Sequence, residues 1–324
     1  MKAIVQDRYG SPDVLEYRDV EEPAVAGHEV LVRVRAAAVN ARDWHYMRGD
    51  PYVARLAFGL GRPRVRVRGT DFAGVVQAVG KDVRGFRAGD EVFGEAEGAF
   101  AQYVRATPDV LAPIPAGLTF AQAAAVPLAG NTALMGLRDV GRVGPGARIL
   151  INGASGGVGT FAVQIGKALG AEVTAVCGTR NADLVGSLGA DHVVDYTRDD
   201  FTRRPGRYDV VLDLVGNRSL AAYRRVLAPD GTLVLSGGGV SRGGSLFGPM
   251  GLLVRGRAVA AFVGHRLLVL ESTPSAENLV ALGELVETGR LTPVIDRTYP
   301  LGEAAEAIRY LEVEHARAKV VLTA

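Results

Sequence analysis

"RILINGASGGVGTFAVQIGKALGA", residues 148–171, decides the fold of the second half of this chain. An apolar strand, Ile149 to Asn152, runs into a loop holding four glycines, and an apolar-periodic helix leaves it. From Ala154 the loop reads A-x-G-x-x-G, the dinucleotide fingerprint with alanine at its first glycine. Gly156 removes the Cβ that would keep a pyrophosphate from the backbone. Gly159 lets the helix pack closely on the strand, and the free N–H groups at the helix start face a doubly charged ligand. The candidate cradle is Gly153, Ala154, Ser155, Gly156, Gly157, Val158 and Gly159. A glycine-rich tight turn without a ligand is the plain alternative; the strand, helix and following strand at the expected spacing weigh against it.

Outward from this loop the rhythm persists. "EVTAVCG", "NADLVGSLGA", "HVVDY", "YDVVLDLVG", "SLAAYRRVLAPDG" and "TLVLSGG" alternate strand and helix signals, which predicts a parallel, doubly wound sheet. Residues 1 to about 110 read differently. "MKAIV", "EVLVRVRAAAV", "FAGVVQAVG", "DEVFG" and "AQYVRA" are short β signals split by Gly, Pro and Asp. A long amphipathic helix, "SAENLVALGELVETGR", and a final strand, "AKVVLTA", close the chain. The fold class is α/β with a β-rich first domain.

Which dinucleotide binds is read at the end of the second strand, about twenty residues past the loop, where NAD sites place an acid on the ribose 2′-hydroxyl. Here the chain reads "VCGTRNAD" (176–183), with no carboxylate at the strand end. Gly178, Thr179 and Arg180 are the candidate contacts. Arginine forks onto a 2′-phosphate, and the missing acid removes the repulsion it would face, so NADPH is the expected cofactor. The alternative leaves Arg180 in solvent and gives the ribose to Asp183, which lies further into the helix. The missing acid also weakens a methyltransferase reading.

Composition sets outer bounds. The 324 residues carry a net charge of +2, so no strong field points toward nucleic acid. One cysteine, Cys177, leaves no internal disulfide and no cysteine-rich zinc site. No apolar run reaches membrane-spanning length, and the N-terminus reads as a strand and turn, so a cytoplasmic enzyme is expected.

The motifs "AAAVNARDWHYMRG" (36–49), "RGTDFAGVVQAVG" (68–80), "FRAGDEVFG" (86–94), "GNTALMGL" (130–137), "GASGGVG" (153–159), "GADHVVDYT" (189–197) and "HARAKVVLT" (315–323) span the whole chain. With them the chain resembles the medium-chain dehydrogenases/reductases, most of all their zinc-free quinone oxidoreductase branch. The resemblance implies a GroES-like catalytic domain over 1–122 and 266–324 and a Rossmann domain over 123–265. In the tail, Ala318 stands where the family usually has glycine.

Departures from the zinc-dependent branch shape the expected chemistry. Asn40 stands at a cysteine ligand position, Gly69-Thr70-Asp71 replaces Gly-His-Glu, and the four-cysteine lobe is missing. No metal is expected, because thiolate and imidazole ligands are missing and none of the five histidines forms a spaced pair. Without a Lewis acid, reducing a simple carbonyl is hard, whereas hydride addition to a quinone or enone spreads its charge into a hydroquinone or enolate. The expected function is therefore an NADPH-dependent, zinc-independent reductase of quinones or α,β-unsaturated carbonyls. The alternative is an NADPH-binding protein with incidental turnover, crystallin-like or with an RNA-binding side role.

The candidate catalytic residues lie in "VNARDWHYMRGDPY" (39–52). Asn40 is placed to bond the nicotinamide ribose and a substrate oxygen, and Asp43 to brace the segment. Tyr46 is the first choice for proton donor and Tyr52 the second; either is equally read as an aromatic wall. The resemblance further implies Thr132 near the nicotinamide, Val215 and Gly216 after the fourth strand, Tyr196 near the adenosine phosphate, and Lys319 near the cofactor.

The stretches 52–61 and 237–256, the second offering Phe247, Met250, Leu252 and Leu253, are read as walls around a hydrophobic small-molecule substrate, or else as surface loops. The alternating arginines of "GRPRVRVRG" (61–69) are read as a solvated β face rather than a nucleic-acid surface. "AVAAFVG" (258–264) is read as the last strand of the parallel sheet, pairing with its copy in a homodimer.

Overall fold

The computed structural model describes residues 1–204, 206–237, 244–248, 250–260, 263–314 and 316–324. They form two compact units. The first holds residues 1–131, 244–246 and 273–324, and the second 132–237 and 247–272.

In the first unit, β1 (Lys2–Gln6) and β2 (Leu15–Asp19) make a small antiparallel pair. The larger sheet is built on β3 (Val30–Val39), a ten-residue strand whose "AAAV" end is buried. Around it lie β4 (Asp71–Val79), β5 (Glu91–Glu95), β6 (Tyr103–Ala106) and β7 (Leu111–Pro113). Small side chains at Ala36, Ala37 and Ala38 let that end of the strand be covered closely, as burial of both faces requires.

In the second unit, β8 (Arg148–Asn152), β9 (Glu172–Cys177), β10 (His192–Asp195), β11 (Tyr208–Asp213), β12 (Leu227–Leu235) and β13 (Arg266–Val269) form one parallel sheet. Its order is β10-β9-β8-β11-β12-β13, that of a Rossmann sheet. The order reverses between β8 and β11, and ligands of such sheets bind beyond the carboxyl ends of the strands there. The chain then returns to the first unit with β14 (Ile295–Pro300) and β15 (Lys319–Thr323). β15 pairs antiparallel with β3 and parallel with β14.

Three expectations are corrected. The domain boundaries fall at 131/132 and 272/273, because β13 pairs along β12 in the parallel sheet instead of joining the catalytic domain. Residues 258–260 are the end of the helix Met250–Ala260, not a strand, while 261–262 lie outside the described residues. The homodimer expectation thereby loses the strand on which it was built. The arginines of 61–69 do not form a β face: the segment is irregular apart from a bridge between Val5 and Val67, and Arg68 is buried.

The loop 153–159 turns as its glycines suggest, with a division of labour. Gly153 takes φ +91°, a conformation that favours glycine. A Cβ on Gly159 would lie 2.1 Å from the Gly153 carbonyl oxygen, so helix and strand meet backbone to backbone. At Gly156 the nearest atom would be 3.5 Å away, so the space over it is open. Ala318 takes φ +60°, which explains the family's glycine there.

These observations set the expected order of stability in chemical denaturation. Gly159→Ala loses about 1–3 kcal/mol or more, as overpacking does. Gly156→Ala stays within about 1 kcal/mol of the parent. Ala318→Gly gains about 0.5–1 kcal/mol, because relief of left-handed strain exceeds the added freedom of the unfolded chain. Equal losses at 156 and 159 would contradict the close packing seen only at Gly159.

Candidate active site

Strand register gathers the charges of the first unit at one rim of its sheet. Val320 on β15 lies opposite Val39 on β3, Ala38 lies opposite Asp71 on β4, and Asp71 lies opposite Glu95 on β5. Lys319, Asn40, Asp71 and Glu95 therefore come together from four segments. Lys319 donates to Asn40 Oδ1 at 2.5 Å, and its ammonium is 3.5 Å from Asp71 Oδ2. The Leu128 N–H donates to Asp71 at 3.3 Å. Burial pushes the Asp71 carboxyl up, and Lys319 opposes that push.

Asn40 leaves β3 in an extended conformation, with φ −126° and ψ 158°, and caps the helix Ala41–Arg48. Asp43, three residues on, accepts the Asn40 backbone N–H at 2.8 Å, which fixes where the strand becomes a helix. Burial pushes the Asp43 carboxyl up to about 7 against that hydrogen bond. Arg42 pairs with the buried Glu95 at 2.6 Å; burial and the neighbouring Asp71 hold that carboxyl near 7 too.

Tyr46 sits one helical turn beyond Arg42. Its ring packs on Phe58 at 4.1 Å, with the Arg42 and Arg68 guanidinium groups 5.6 and 5.5 Å from its centre. Burial lowers the Arg68 pKa, and its Nε and Nη1 have no hydrogen-bond partner among the described residues. Tyr52 is not part of this cluster. It is 45% exposed, its N–H donates to the Ser245 carbonyl, and its ring lies under Arg55 at 4.7 Å.

In the second unit the glycine loop opens the twelve-residue helix Gly157–Ala168, with Gly156 at its cap. The Ser155 hydroxyl accepts from Asn181, which fastens the loop to the turn after β9. In that turn Gly178 precedes the exposed Thr179 and Arg180. A Cβ on Gly178 would lie 3.3 Å from the Tyr196 hydroxyl, so Gly178 and Tyr196 are neighbours. The acid missing from the end of β9 has a counterpart on the next strand. Asp195 lies opposite Cys177 and accepts from the hydroxyls of Thr179 at 2.5 Å and Thr197 at 2.7 Å.

At the switch point itself Asn152 ends β8 and Asp213 ends β11. Asn152 donates to Asp213 at 2.8 Å and to the Tyr223 hydroxyl at 3.1 Å, and Asp213 accepts the N–H groups of Val215 and Gly216. This buried network shapes the Val215–Gly216 turn. Thr132 bonds Ser272 at 3.1 Å.

The expected site residues thus fall into two groups. Asn40 and Asp43 gather near Lys319, with Tyr46 further along the helix beside Arg42, Arg68 and Phe58, while the glycine loop, Gly178–Arg180, Tyr196, Val215 and Gly216 follow the carboxyl ends of the parallel strands. Of the stretch 237–256, residues 238–243 and 249 lie outside the described residues. Phe247 is exposed, and Leu252 and Leu253 pack on the sheet core. Glu95, Arg68, Asp195 and Asp213 escaped the sequence reading, and Asp71 appears there only as a replacement in the Gly-His-Glu position. Among the described residues no three of His, Cys, Asp and Glu are grouped to hold a metal. Nor is any helix there long and apolar enough to cross a membrane.

Comparison with known proteins agrees with both units. A profile described as "Alcohol dehydrogenase GroES-like domain" matches residues 26–116, and one described as "Zinc-binding dehydrogenase" matches 188–322. A 2-methylene-furan-3-one reductase of Solanum lycopersicum is 34% identical over 99% of this chain and 79% of its own length. An NADPH-dependent alkenal/one oxidoreductase of Arabidopsis thaliana is 32% identical, with the same coverage. The quinone oxidoreductase structure from Coxiella burnetii superposes with a TM-score of 0.87 at 32% identity, covering 100% of this chain and 99% of that one. The chain belongs to the medium-chain dehydrogenases/reductases, a family of pyridine-nucleotide-dependent oxidoreductases, and within it to the quinone oxidoreductase branch.

Proposed function

We propose that this protein is an NADPH-dependent reductase of quinones or α,β-unsaturated carbonyls that works without zinc. One observation carries the reading. Among the described residues, the buried centre at the rim of the first sheet holds a carboxamide, an ammonium and carboxylates, with no thiolate or imidazole bonded to them. The relatives support the acceptor class, being named for furanone, alkenal/one and quinone substrates.

The nucleotide fits the second unit. Gly156 leaves a cradle that a Cβ would begin to fill, at the start of a helix whose free N–H groups suit a pyrophosphate. When bound, the reduced nicotinamide supplies the hydride. The residues of this chain do the rest. Gly153 to Gly159 hold the pyrophosphate, Asp213 sets the turn of Val215 and Gly216, and Arg180 meets the 2′-phosphate. Asn40 donates to the acceptor oxygen, where charge develops, and Tyr46 supplies a proton or a further hydrogen bond. Two guanidinium groups beside the Tyr46 ring favour negative charge near it.

Two measurements test the parts separately. In fluorescence titrations NADPH binds at least about tenfold tighter than NADH, a difference of about 1.4 kcal/mol, and Arg180→Ala removes that preference by weakening NADPH alone. Equal affinities in the parent would instead give the ribose to Asp195. Tyr46→Phe lowers kcat for an enone roughly tenfold to a hundredfold and leaves NADPH affinity unchanged. An unchanged kcat would take Tyr46 out of the mechanism and leave protonation to water.

A further inference from the structure

At the amino ends of β11, β12 and β13 lies a cavity of about 600 Å³ whose wall carries Arg203, Arg204, Arg207, Arg224, Arg225 and His265 and no carboxylate. Over the whole chain 37 lysines and arginines nearly balance 35 acids, so the cavity is a local segregation of charge and not a share of an overall excess. Two segments supply it. One is the run of residues 203–207 that leads into β11, and the other is the last turn of the helix Leu220–Val226, which leads into β12.

The neighbouring acids leave most of this charge unmatched. Arg204 pairs with Asp199 at 3.1 Å and Arg203 with Asp200 at 3.6 Å. Asp200 is also shared with Arg218 at 3.7 Å and with the Thr202 hydroxyl at 2.8 Å. Arg207, Arg224 and Arg225 form no ion pair among the described residues. The negative end of the short helix supplies only about half a charge toward Arg224 and Arg225. Arg224 Nε donates to His265 Nδ1 at 3.4 Å, which places the ring proton on Nε2. Burial and the Arg224 charge hold the His265 imidazole below its usual range, so a neutral ring braces that guanidinium. A concave surface lined by one sign of charge concentrates its field on a counter-ion.

We infer that this cavity is a second anion site, built to take a compact polyphosphate. Guanidinium groups fork onto phosphate oxygens two at a time, and three unpaired ones around a small volume suit a ligand that carries several charges close together. Free tripolyphosphate and the polyphosphate end of a nucleotide share that chemistry. The site is separate from the glycine cradle, because all six strands are parallel and the cradle follows the carboxyl end of β8.

Isothermal titration calorimetry with tripolyphosphate, ATP and citrate tests it, with and without saturating NADPH, at about 0.15 M salt, where distant charges are screened. One tripolyphosphate is expected per chain, with an affinity that NADPH changes by less than about twofold. ATP bound beside NADPH assigns the site to nucleotides as well, and ATP excluded assigns it to the free anion. Arg207→Gln with Arg225→Gln, both at exposed positions, weakens tripolyphosphate at least about tenfold. Arg225→Lys alone, which keeps the charge and loses the fork, weakens it about threefold or more. Removing two exposed charges in the first unit instead, with Arg62→Gln and Arg64→Gln, leaves it within about twofold. Equal weakening by that control pair, displacement of tripolyphosphate by NADPH, citrate binding as tightly, or no saturable binding at all would each overturn the inference.

Discussion

The Lys319–Asp71 pair, buried where β15 and β4 flank β3 with Asn40 beside it, is the interaction around which the rim of the first unit's sheet is built. Burying both charges is unfavourable, and removing one partner of such a pair typically costs about 3–5 kcal/mol. The last strand of the chain pairs with β3 from Val320 onward, which fixes where Lys319 enters the sheet. Around it stand two more carboxyls, Asp43 and Glu95, each held near 7 chiefly by burial, and two arginines. The rim is thus a polar island inside an otherwise apolar sheet, and it surrounds the first turn of the helix that carries Tyr46.

The second unit has a buried polar network of its own. Asn152, Asp213 and Tyr223 satisfy one another at the reversal of strand order, where an open parallel sheet has room for a ligand. Burial and the adjoining Asp213 push the Tyr223 phenol up, so it stays a neutral donor and acceptor. Asp213 accepts the N–H groups of the following turn, which fixes the backbone of Val215 and Gly216.

Much of the fold was legible because its signals are local. The strand-glycine-helix pattern of 148–171 predicts β8, the loop and the helix, and the alternation after it predicts the parallel sheet. The run 258–264 misled because a short apolar segment fits a helix end, as residues 258–260 are, as well as a strand. Of the site, the cradle could be read because its chemistry lies in consecutive residues. The rim could be read only piecemeal: Asn40 and Lys319 stand out separately, but they and Asp71 and Glu95 are distant in sequence, and only strand register joins them. Asp195 escaped for the same reason. The end of β9 carries no acid, and the acid on β10 becomes its neighbour only through parallel pairing.

In the proposed function, the polar groups at this rim serve reduction without a metal ion. Elemental analysis of the purified protein, with NADPH-dependent enone turnover before and after exhaustive chelation, tests it most directly. No stoichiometric zinc and unchanged turnover are expected. One tightly held zinc per chain, whose removal abolishes turnover, would contradict it.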